Sequence, residues 1–95
     1  MNSERILERE ASVKKANAKL KEIISHNIRY YRILSGMSED ELALCIGKKG
    51  EYVKKLENKE LKANPSIKTL DMIARALGVR FTALIFEDDD RRRNE

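Results

Sequence analysis

Residues Leu34–Asn58 read LSGMSEDELALCIGKKGEYVKKLEN, and their spacing predicts two short helices meeting at a glycine corner. Ser38 has the hydroxyl that accepts from a backbone N–H at a helix start. Glu41 stands three residues on, where a capping-box carboxylate reaches back. Leu42, Ala43 and Ile46 recur at one-turn spacing and give the first helix an apolar stripe. Gly47 follows at the position where a left-handed backbone ends a helix without a Cβ clash. Val53 and Leu56 begin a second stripe, with Lys54 and Lys55 beside it. The second helix of the pair is therefore basic on its outer side.

Two helices, a glycine corner and a basic second helix describe a helix-turn-helix. On Ser38, Leu42, Ala43, Ile46, Gly47, Leu56, Glu57 and Asn58, in register, the stretch resembles the Cro and lambda-type phage repressors, the XRE-type regulators. The resemblance extends from about Ile23 to Phe86. It implies an all-α, five-helix lambda-repressor-like DNA-binding domain, here with an N-terminal helical extension. The expected division is an N-terminal helical arm over 1–22, a helix-turn-helix domain over 23–86 and a disordered charged tail over 87–95.

The rest of the chain fits that frame. The first domain helix is expected from about Ile23 to Leu34, either continuous with the arm or separate from it, with Ile24, Ile28, Tyr31 and Leu34 as its buried face. Arg29 and Arg32 flank that face, and Ser35-Gly36 ends the helix. Lys59 to Asn64 read as a polar loop, and Pro65-Ser66 opens a fourth helix. Leu70, Ile73, Ala74 and Leu77 form its stripe, and Gly78 closes it. Val79, Phe81, Leu84, Ile85 and Phe86 predict a short fifth helix over the core.

Composition narrows the function classes. The chain has 95 residues, 41% hydrophobic and 38% charged, with one proline and four glycines, which fits a small helical domain better than a sandwich or barrel. No apolar run has the length of a membrane span and no leader pattern opens the chain, so no membrane association is expected. One cysteine excludes an internal disulfide and suits a reducing, cytoplasmic setting. With a single histidine beside it, a metal site of nitrogen and sulfur donors is not expected, and no cofactor is implied. His26 reads as a surface or helix-capping residue. No grouping of His, Cys, Ser or paired carboxylates has catalytic spacing, so the chain is not read as an enzyme. The net charge is +4, and residues 23–86 hold all of it, with eleven basic against seven acidic groups. That excess is compatible with phosphate binding.

The resemblance assigns roles by position. The third helix, about 49–58, is expected in the major groove, with Lys49, Gly50, Glu51 and Lys55 at the base-reading places. Ser38, Glu39 and Asn58 occupy the phosphate-anchoring places, and Lys48 and Lys54 extend the backbone contacts. A lysine donates to guanine O6 and N7 and a glutamate accepts from cytosine N4, so a G·C-containing half-site is expected. Arg32 and Glu57 match a pair that forms a buried salt bridge in the family. Three positions depart from the common pattern: Glu39 replaces a glutamine, Lys49 replaces a serine or threonine cap, and Lys59 replaces a glycine ahead of a longer loop. Tyr52 either stacks at a phosphate or fills the gap beside the preceding helix.

The leading functional expectation is a sequence-specific DNA-binding transcriptional regulator, a repressor by occupancy, acting on double-stranded DNA as a homodimer. Its dimer surface is either the fifth helix with Phe81 and Phe86, which ranks first, or the arm. The alternative is a protein-interaction module on the same fold, of antitoxin or anti-repressor type. Its partner would dock through residues 1–22 or through Leu44 and Cys45, which stand where the family usually carries polar residues. In the arm, Ile6, Val13 and Leu20 recur every seven residues, with Ala16 and Ile23 between them and Arg9 interrupting. That pattern fits either a solvated arm or a helix that docks on the domain or on a second subunit.

Overall fold

The computed structural model describes residues 3–58 and 64–87. Five helices follow one another: α1 (Ser3–Leu34), α2 (Glu39–Cys45), α3 (Gly50–Leu56), α4 (Ile67–Leu77) and α5 (Phe81–Ile85). The described residues are otherwise turns and short connections, so the architecture is all-α, with the five helices that the resemblance implies. The expected tail lies outside the described residues apart from Glu87, as does the loop over 59–63.

Helix ends follow the local chemistry. The Ser38 hydroxyl accepts from the Glu41 N–H at 3.0 Å and the Glu41 carboxylate accepts from the Ser38 N–H at 3.2 Å, a complete capping box on α2. Ser66 likewise accepts from the Thr69 N–H at 3.1 Å and caps α4. Gly47 and Gly78 carry φ of 69° and 70°, the left-handed turn expected after α2 and α4. The N–H groups of Lys48 and Val79, one residue further on, return to the Ala43 and Ala74 carbonyls.

The core is assembled from one-turn stripes. Ile24 and Ile28 of α1 meet Leu42, Ala43 and Ile46 around α2, Val53 and Leu56 of α3, and Leu70, Ile73, Ala74 and Leu77 of α4. Leu84 of α5 is fully buried, and α5 packs on both α1 and α4. Two expected core positions are corrected. Leu34 is 68% exposed, because six residues beyond Ile28 is about one and two-thirds turns, which points it away from the stripe. Arg32, one turn after Ile28, takes the inward position instead and is buried. Phe86 is 63% exposed, since α5 stops at Ile85 and the chain turns extended there.

Two polar side chains pin α1 to the far ends of the fold. Ser25 Oγ donates to the Asn58 carbonyl at 3.0 Å, and Asn27 Nδ2 donates to the Leu84 and Phe86 carbonyls, each at 3.0 Å. Both side chains are buried, and their bonds go to carbonyls at or just beyond the ends of α3 and α5. The N-terminal part of α1 is different: every residue from Glu4 to Leu20 is exposed. The expected boundary at residue 22 therefore falls inside one uninterrupted helix, where burial begins. Lys19 reaches Glu87 at 3.7 Å across this junction.

Candidate nucleic-acid interface

The helix α3 buries Val53 and Leu56 and exposes Glu51, Lys54 and Lys55. Residues 51, 54 and 55 lie three and four apart, so they share one face, opposite the buried pair. Asn58, just past the helix end, is exposed as well. This outer face is what the charge pattern anticipated, although the helix itself spans Gly50–Leu56 and is shorter than expected. Lys49 is its N-cap residue and makes no side-chain cap, as its departure from serine or threonine implied.

The glycine after it has a packing reason. A Cβ added at Gly50 would collide with the carboxylate end of the exposed Asp40 side chain, while the Asp40 Cα would stand at an ordinary 3.6 Å. A larger residue would have to displace the Asp40 carboxylate. The resemblance counts Gly50 among the base-reading places, and the fold sets it under the Asp40 side chain as well. Lys48 and Lys49 are exposed in the turn between the helices. The Lys48 ammonium lies 5.3 Å from the centre of the Tyr52 ring, a cation–π distance. Tyr52 itself is half-buried and packs against the core.

At the start of α2, Ser38 is exposed and engaged in its capping box, and Glu39 is half-buried. Glu39, Asp40 and Glu41 all occupy the first turn, where negative charge favours the helix dipole. Glu39 also acts on Arg32, whose charged form it stabilises electrostatically.

Arg32 orients α3 against the scaffold. Its Nε donates to Glu57 Oε2 at 2.6 Å and its Nη2 to Glu57 Oε1 at 2.9 Å, a two-pronged pair, while Nη1 donates to the Met37 carbonyl at 2.8 Å. The side chains are 11% and 3% exposed, so the pair is desolvated and well satisfied. The Glu57 hydrogen bonds hold the guanidinium pKa above its ordinary value against the opposing pull of burial, and the charges of Glu57 and Glu39 act in the same direction. Glu57 ends α3 directly, so the pair fixes the azimuth of the lysine-bearing face. His26 is exposed, with its ring stacked 6.4 Å from that of Tyr30.

The helix-turn-helix family matches residues 28–84, more than half of the chain. The chain belongs to that family. It is a DNA-binding transcriptional regulator of the Cro and lambda-repressor-like, XRE type. It is 33% identical over 66 residues to the control protein C.SmaI of Serratia marcescens, a match covering 70% of this chain and 76% of that one. The fold is similar to a crystal structure of the hypothetical transcription factor NHTF from Neisseria, with a TM-score of 0.69 and 29% identity. That match covers 80% of this chain and 85% of the other. Among the described residues no helix is long and apolar enough to cross a membrane.

Proposed function

We propose that this regulator is sequence-specific and represses by occupying a two-fold operator as a homodimer in the cytoplasm. In this reading α3 enters the major groove. Lys49, Glu51 and Lys55 read base edges beside Gly50, which leaves the groove floor room. Ser38, Glu39, Lys48, Lys54 and Asn58 line the phosphate side. The observation that carries the reading is the lysine-bearing face of α3, directed outward from Val53 and Leu56 and held in place by the Arg32–Glu57 pair. The related control protein and transcription factor support it.

The test is selection of bound sequences from a random duplex library, followed by binding across a salt series. A two-fold motif with G·C pairs in each half is expected. Lys54→Ala is expected to weaken binding to all sequences and lower the salt slope by about 1. Lys49→Glu with Lys55→Glu is expected to abolish binding while leaving the thermal unfolding curve unchanged. A second reading, a protein-interaction module, is favoured by one observation: Leu44 is 81% exposed on α2 next to the exposed Cys45. No enriched motif, with function surviving the double charge reversal, would move the assignment to that reading.

A further inference from the structure

We infer that the N-terminal half of α1 is a self-association surface whose occupant is the same segment of a second copy, running antiparallel. The inference does not depend on DNA binding. It starts from exposure: residues 4–20 form about 26 Å of helix on which every side chain is exposed, including Ile6, Val13 and Leu20. A lone solvated helix of that length is marginal in water. These three residues fall seven apart and form one stripe, and Ala16 lies along it.

The fold decides the direction. The stripe runs on into Ile24, the face of α1 that the domain already covers, and a notch lined by Asn17, Leu20, Lys21, Ile24, Asn64 and Pro65 marks where the two meet. A parallel partner helix would have to continue through the domain. An antiparallel partner ends at the notch and leaves the two domains at opposite ends of the pair.

Charge points the same way. Residues 3–12 carry three acids and two arginines, a net of −1, whereas residues 13–22 carry four lysines and one acid, a net of +3. Parallel pairing sets each lysine beside its own copy and Arg9 against Arg9. Antiparallel pairing about a two-fold axis at Val13 lays the negative half on the positive half. Ile6 then faces Leu20 of the second copy, Arg9 faces its Asn17, and Glu10 falls beside its Lys14 in two equivalent places. The contact is isologous and closes on itself.

Sedimentation equilibrium of the full chain without DNA tests the surface, and cross-linking tests its direction. Val13→Glu puts two carboxylates on the axis and is expected to raise the dissociation constant roughly tenfold or more. Glu10→Lys and Lys14→Glu each weaken association several-fold, and the two changes together restore it. In a Cys45→Ser background, Ile6→Cys mixed with Leu20→Cys is expected to give a disulfide between unlike chains, and Phe86→Ala leaves that cross-link in place. A chain that stays monomeric at high concentration overturns the inference. So does association indifferent to Val13→Glu, or cross-linking only between like positions.

Discussion

Residues 4–20 and 24–34 belong to the same helix and carry similar apolar residues, yet they have opposite fates. Ile6, Val13 and Leu20 are 44%, 58% and 42% exposed, while Ile24 and Ile28 are 7% and 0% exposed. Helix propensity does not separate them, and neither does their periodicity. What separates them is whether another part of the chain folds back onto the stripe. Over 24–34 the stripe meets α4, α5 and the ends of the turns, and polar anchors such as Ser25, Asn27 and Arg32 find partners there. Over 4–20 the other described residues leave it exposed, with Lys19 reaching Glu87 at its edge. A stripe in a sequence therefore states a demand for a partner surface without naming its source.

The largest expected effect lies in the covered half. Arg32→Ala leaves the Glu57 carboxylate buried and unpaired and is expected to lower unfolding stability by about 3–5 kcal/mol in urea titration. A loss under about 1 kcal/mol would mean that the pair is not the brace that holds α3, and would erase the main energetic contrast within α1.

The contrast itself is sharpened by matched truncations. Ile28→Ala opens a cavity in the core and is expected to cost about 2–5 kcal/mol. Val13→Ala, measured at a dilution where chains are separate, is expected to stay within about 0.5 kcal/mol. Equal losses at the two positions would show that the arm is packed within its own chain, and the comparison would fail.

The smallest effects concern the two caps that flank the turn. Ser38→Ala removes the α2 capping box and is expected to cost about 1 kcal/mol. Lys49→Ser installs the missing hydroxyl at the start of α3 and is expected to raise stability by roughly 0.5–1 kcal/mol, read as a higher denaturant midpoint at unchanged slope.

Much of the domain was legible because its signals are local. Leu42, Ala43, Ile46, Val53, Leu56, Leu70, Ile73, Ala74 and Leu77 follow helical spacing and are all buried, and the glycines at 47 and 78 end helices as expected. The Arg32–Glu57 pair was accessible through the family resemblance, since its partners stand 25 positions apart. Ser25 and Asn27 escaped notice, because a small polar residue one turn from an isoleucine looks like the edge of a solvated face. A carbonyl far along the chain makes each of them an anchor. Leu34 misled for the opposite reason: it is apolar, but its angle on the helix carries it outward.

The sequence by itself determined the order of the domain helices, the caps of α2 and α4, the core stripes and the basic outer side of α3, because backbone capping and side-chain periodicity act over three to seven residues. Tertiary structure alone decided that the Asp40 carboxylate lies over Gly50 and that Asn27 closes the end of α5. It also decided that half of α1 is left exposed by the other described residues. Each of these depends on which distant surface comes within bonding distance, and no local pattern encodes that distance.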